Sequence, residues 1–416
     1  MDAQPIGEYK LYPYRWVVLV MYMLAAATIQ LLWTTFFSIT LEAGAYYGFT
    51  DALKGESAIS LLSIIFMVGM IALSIPSMAA FEKFGYKKAV GFGVVLMGAA
   101  ALVRGLFGDN YTMLVICTVG FGIAQPFILN AVGLVPGKWF PEKERALANG
   151  VGLLASYIGM MLGLLVTPIL LEAGMDIKSM LTVYGVWGAV VGVLFVLFSR
   201  EAPPTPPCAE GDNTRSDFKE GIKILIKRPS FLLTLLAFFI IFGVFNTFFT
   251  LIEPILLFFS GGGVDALEIG IVGVLILVAG TIGSLVIPMF SDKSKGQRRK
   301  PYIIVCELLG AIGFGLFIFM GDFNGMIVAA AIYGLFCVGV TPVLMTFSAE
   351  VSYPVSEGTS EGMMMFVGNV AGVILLSAAG LFGGNYLALL VTLTVLIFIG
   401  WILLVAAKET KLANRA

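Results

Sequence analysis

Two residues set inside long apolar runs carry side chains that could hold a small polar molecule, Trp33 and Gln125. Trp33 lies about 17 residues into the first run, roughly 26 Å along a helix at 1.5 Å per residue. An indole face attracts ammonium groups, and aromatic cages are a recurrent answer to quaternary amines. The same residue type also marks membrane boundaries, and the residues alone leave both readings open. Trp33 opens a dense aromatic and hydroxyl stretch that runs through Phe37 to Ser38. Gln125 precedes Pro126 in the fourth run. A buried amide there must be bonded, either to a ligand or to a neighbouring helix. Charges within the runs are few. Glu253, before Pro254, reads as an interfacial acid or as part of an outer gate, and Glu307 is expected to bond the inner corner described below. Glu350 is expected to pair with a basic loop, and Arg104 to snorkel to the outer interface.

The chain has no histidine, which removes the commonest metal ligand and the usual proton switch. No carboxylates pair at depth, and Gly261-Gly262-Gly263 has no following lysine to complete a phosphate cradle. The four cysteines show neither metal nor disulfide spacing. An enzyme is therefore not expected, nor a cofactor, a metal or a nucleic-acid partner.

The elements that must position these residues follow from composition. The 416 residues are 59% hydrophobic and 12% charged, about half the charge of an ordinary soluble domain. That much apolar surface has to face lipid. A membrane-crossing helix needs roughly 20 mostly apolar residues, and twelve runs qualify: 16–41, 58–80, 89–107, 112–136, 146–171 and 180–199, then 230–259, 266–290, 301–320, 324–349, 362–381 and 385–407. The polar break between them divides the chain into a bundle over 1–199, a linker over 200–229 and a bundle over 230–416. Only Lys54, Lys178 and Arg104 of the 25 Lys and Arg residues fall at the predicted outer side. The positive-inside rule therefore puts both termini in the cytoplasm, with the cell membrane as the expected location. The first run is too long, and its lead too polar, for a cleavable signal. A multi-pass monomer in the bilayer is expected.

The halves repeat. At an offset of 213, Phe140 meets Tyr353, Pro141 meets Pro354, Glu144 meets Glu357 and Gly159 meets Gly372. Glu82-Lys83-Phe84-Gly85-Tyr86-Lys87-Lys88 recurs in weaker form from Ser291-Asp292 to Lys300. This corner resembles the loop motif of the major facilitator superfamily, with Glu82 and Lys83 at the acid and first base, and Ala79 in place of the leading Gly. The resemblance implies an all-α integral membrane fold of two pseudo-symmetric six-helix bundles. It also makes Glu82, Lys83, Gly85, Lys87, Asp292, Glu144, Arg145 and Glu357 gating or inner-corner residues.

A narrower resemblance rests on Ala124 to Asn130, on Trp139-Phe140, and on the run Pro354-Val355-Ser356-Glu357-Gly358-Thr359-Ser360. These stretches resemble the family named after the feline leukaemia virus subgroup C receptor, whose members carry choline and ethanolamine and have been linked to haem. That family places substrate-contacting residues where Trp33, Gln125, Phe249 and Asn369 stand, with Asn246 beside Phe249. Phe249 stands for a tyrosine and Asn369 for a glutamine, so π-face and amide are kept while polar reach is lost. The implied function is a carrier of a small organic cation or zwitterion working by rocker-switch alternating access. Facilitated diffusion is expected, because no acid pair at depth forms a proton relay, though a backbone-ligated sodium site stays open. A carrier of a small carboxylate, metabolite or drug is the alternative within transport. A transporter-like receptor is the alternative outside it.

Overall fold

The computed structural model describes residues 10–205, 218–293, 298–353, 355 and 357–409. Among these no strand forms, and the helices run α1 (Tyr14–Thr34), α2 (Thr40–Tyr46), α3 (Ala52–Leu106), α4 (Tyr111–Leu129), α5 (Leu134–Trp139), α6 (Glu142–Glu172) and α7 (Ile177–Phe198). After the linker come α8 (Phe218–Leu225), α9 (Pro229–Thr250), α10 (Ile252–Phe259), α11 (Ala266–Lys293), α12 (Lys300–Leu316) and α13 (Phe323–Tyr333). A π-helical turn (Gly334–Val338) follows, then α14 (Thr341–Ser352), α15 (Glu357–Ala379) and α16 (Tyr386–Ala406).

Among the described residues, ten helical runs are long and apolar enough to cross a membrane. Residues 52–106 hold two of the expected spans in one run, turned at Gly85, whose φ of 79° is open to glycine at little cost. The expected span at 301–320 forms a helix of 17 residues, at the lower end of the length that crosses a bilayer. Four other expected spans are broken, the fourth between α4 and α5, and in the other three the break has a local cause. In α1, Thr34 Oγ1 donates back to the Gln30 carbonyl and Thr35 Oγ1 to those of Leu31 and Leu32. Such bonds compete with the helix ladder, and the helix stops before Ile39 (φ −138°). The seventh run breaks at Leu251, three residues before Pro254. The tenth passes through the π-turn before restarting at Thr341-Pro342. Among the described residues six helices start on short polar caps: Asp51, Asn110, Asp176, Asp265, Asp322 and Asn385 each accept from a backbone N–H three residues on.

Compactness gives two units. The first holds residues 1–35 and 68–213, the second 36–67 and 214–416. In the first, α1 packs on α6 and α7, and on α4. A Cβ on Gly159 would overlap the Ala27 carbonyl, so glycine lets α6 close on α1. In the second, α9 packs on α15 and α16. Gly372, the offset partner of Gly159, lies there against Asn246 and Met67. The hairpin formed by α2 and the start of α3 belongs to this second unit. Its anchor is Glu253, 5% exposed, which accepts from the Leu41 N–H at 2.7 Å. Tyr386 donates to Glu56 beside it.

Candidate functional site

Within the first unit the last turns of α1 and of α4 carry the candidate polar groups. Trp33 is half-buried, and Gln125 is 7% exposed with its Oε1 buried and unpaired among the described residues. Gln30, one turn before Trp33, shows the same feature: it is 8% exposed and its Oε1 is buried without a partner. Asn149 on α6 adds a third buried amide oxygen without a donor. Leaving such an acceptor dry costs about 1–3 kcal/mol, so these oxygens suit a ligand that brings N–H or O–H donors. Gln30 was legible as the polar residue i−3 from Trp33 on one helix face, yet nothing in its type alone set it apart.

Arg104 departs from expectation. It is 2% exposed and does not snorkel. Its guanidinium lies 4.8 Å from the Phe121 ring centroid, and Nη1 donates to the Leu32 carbonyl at a long 3.4 Å. The aromatic face and the α1 carbonyl draw it inward, next to the Trp33 turn in sequence. A fixed cation thus sits inside this unit.

In the second unit Phe249 is fully buried, at the end of an aromatic ladder along α9. Phe238, Phe242, Phe245 and Phe249 follow one another at centroid distances of 5.2, 6.1 and 4.5 Å. Only Phe242 and Phe245 of these keep partial exposure. Asn246 (2% exposed) spends its amide N–H on the Phe242 carbonyl at 2.8 Å. Asn369, half-buried, does the same with the Met365 carbonyl at 2.9 Å. Phe37 is buried at 2%. Glu307 does not bond the inner corner: it is 1% exposed and accepts from Cys337 Sγ at 3.4 Å, with Cys337 lying on the π-turn.

The corner residues are placed differently from the motif reading. Glu82 and Lys83 are exposed, Lys83 lying 5.3 Å from the Phe84 centroid. The acid that organises the turn is Glu201, just past α7. It accepts from the N–H groups of Tyr86 (3.0 Å) and Lys87 (2.6 Å) and pairs with Lys138. Gly85 makes room, since a Cβ there would lie 2.6 Å from Glu201 Oε1. Burial would raise the Glu201 pKa, but the Lys138 ammonium and the two backbone donors outweigh it and hold the carboxyl below its ordinary 4.5.

The second unit repeats the device. Glu409, past α16, accepts from the N–H groups of Arg299 (2.6 Å) and Lys300 (3.2 Å). Arg299 pairs with Asp292 at 2.7 Å and with Glu350 at 2.8 Å, the partner expected for Glu350. Glu144 pairs with Arg15 at 3.0 Å, and Arg145 Nε donates to the Phe140 carbonyl. The Glu357 side chain lies outside the described residues. The two capping acids had a sequence signal, Arg200-Glu201 and Lys408-Glu409 each closing a bundle.

A helical chain with repeated halves and polar groups buried within apolar helices is a membrane transporter in architecture, and comparison with known proteins agrees. The model of the Major Facilitator Superfamily matches residues 18–374, and the chain belongs to that family. It is a non-enzymatic, multi-pass membrane transporter. Among curated relatives it is similar to Solute carrier family 49 member A3 of Xenopus tropicalis, 27% identical over 383 residues covering 88% of this chain and 77% of the relative. It is also similar to Choline/ethanolamine transporter FLVCR2 of Homo sapiens (24% identical, covering 89% and 72%) and to FLVCR1 of Felis catus (26%, covering 92% and 70%). The fold matches a bacterial homolog to the human lysosomal transporter Spinster, in an inward-facing and occupied conformation. The TM-score is 0.77 at 15% identity, over 96% of this chain and 97% of that one.

Proposed function

We propose that the protein carries a small organic cation or zwitterion of the choline or ethanolamine type by rocker-switch alternating access, as a facilitative uniporter in the cell membrane with cytoplasmic termini. The observation that carries this reading is the pair of buried amide oxygens on Gln30 and Gln125, without a donor among the described residues, in the same unit as the half-buried indole of Trp33. A hydroxyl or protonated amine supplies the donor those oxygens lack, and its cationic end suits an indole face. The names of the FLVCR1 and FLVCR2 relatives support the same substrate class. Phe242 and Phe245 are the partly exposed rings of the α9 ladder in the second unit.

A second reading, transport of a small carboxylate, is favoured by one observation, the guanidinium of Arg104 buried inside the first unit. Uptake into proteoliposomes separates the two, using choline, ethanolamine, a dicarboxylate and a sugar, each with and without a proton gradient. Choline uptake that is lost in Trp33→Ala and indifferent to the gradient supports the first reading. Dicarboxylate uptake alone, lost in Arg104→Gln, replaces it with the second. Gradient-driven accumulation would overturn uniport.

A further inference from the structure

The outer surface of the first unit carries a groove of about 670 Å³ between the early part of α3 after Gly85 and the end of α7. Lys87 and Lys88 stand at one end, and Gly91, Val95, Ala99 and Phe195 continue along it. We propose that this groove binds an anionic glycerophospholipid, with the phosphate on the two lysines and an acyl chain laid along the helix.

Four observations carry the assignment. The surface is concave where a lipid-facing helix is ordinarily convex, because Gly91 and Ala99 are small and Phe195 forms the far wall. Its length fits: Lys87 to Ala99 spans about 18 Å of helix, while half of a ~30 Å hydrocarbon core is about 15 Å. One end is cationic and the rest apolar, matching a headgroup and a chain. Lastly, both ammonium groups are available, for neither lysine joins an ion pair or side-chain hydrogen bond among the described residues. Glu201, which lies against the Lys87 backbone, is already committed to the Tyr86 and Lys87 N–H groups and to Lys138. Basic pockets between membrane helices are known sites for anionic headgroups, chiefly on the side where basic loops collect.

The test is native mass spectrometry of the full chain from detergent, titrated with phosphatidylglycerol, phosphatidylcholine of the same chains, or soluble glycerol phosphate. Selective retention of phosphatidylglycerol is expected, weakened on the order of thirtyfold in Lys87→Gln/Lys88→Gln. Lys83→Gln, outside the groove, should leave retention unchanged. Gly91→Leu keeps the charges and fills the groove, and its Cβ meets only Phe195 Cε1 at 3.7 Å, an ordinary contact; an unchanged melting temperature checks that the fold is kept. The variant should lose the phospholipid as well. Equal retention of both phospholipids, unchanged retention in the double variant or in Gly91→Leu, or equally tight binding of glycerol phosphate would each overturn the proposal.

Discussion

Gln30 and Gln125 each bury a carbonyl oxygen that no donor among the described residues reaches, within one bundle, and this makes opposite predictions for binding and for stability. If the oxygens await a substrate, Gln125→Met removes an unsatisfied acceptor from the empty protein. It should then raise apo stability, by up to about 1–3 kcal/mol, while reducing the thermal shift caused by choline. A glutamine bonded between helices would do the reverse, lowering apo stability and leaving any ligand shift intact. Thermal melts with and without choline decide between them. Gln30→Met should behave in the same way. Trp33 is tested by Trp33→Phe, which keeps a π-face. Uptake should survive with choline affinity reduced a few-fold, in line with about 0.5–1 kcal/mol between aromatic faces. At this scale the sequence marked Trp33 and Gln125 by type and depth. It could not show that Phe249 is sealed in by its own ladder, because i, i+3 and i+4 rings stack only once the helix is packed. Nor could it show Arg104 turning inward to Phe121, which depends on a ring from another helix.

The helix after each corner begins on a carboxylate supplied from far along the chain, Glu201 in one bundle and Glu409 in the other. Each satisfies two orphan N–H groups at a helix start and sits at the positive end of the dipole. Glu201→Ala and Glu409→Ala should each cost about 1 kcal/mol, the ordinary worth of a cap. Gly85→Ala should cost more, on the order of 1–3 kcal/mol, because φ is positive and the new Cβ meets Glu201. The pH dependence has a definite sign. The folded pKa of Glu201 is below its ordinary 4.5, so its contribution is complete above 4.5 and fades as pH falls through the lower folded value. Melting temperatures of the wild type and Glu201→Gln should therefore differ at neutral pH and converge in acid. The helical class and the order of the apolar runs were readable because apolar runs of about 20 residues have no other use in a bilayer. The breaks at Thr35–Ile39 and Leu251 lie inside those runs, and hydropathy does not register them. The backbone-directed threonines and Pro254 were their visible trace.

Compact packing and sequence repetition divide this transporter along different lines. The repeat splits it in the linker, while packing gives residues 36–67 to the later helices through Leu41 on Glu253 and Glu56 on Tyr386. Glu253→Gln keeps an acceptor for Leu41 and should be mild. Glu253→Ala leaves a buried N–H unpaired at a cost of about 1–3 kcal/mol, and a denaturation series on the pair of variants measures the difference. The same arrangement governs what happens when the gene is cut in the linker. The later fragment made alone would carry an ionisable side chain that has lost its amide donor and a phenol that has lost its acid. It should be degraded or aggregate. Supplying the earlier fragment in the same cell should rescue it, and so should a peptide covering only the borrowed hairpin, so the severable piece of this protein is a short loop-bearing segment, not half a duplication.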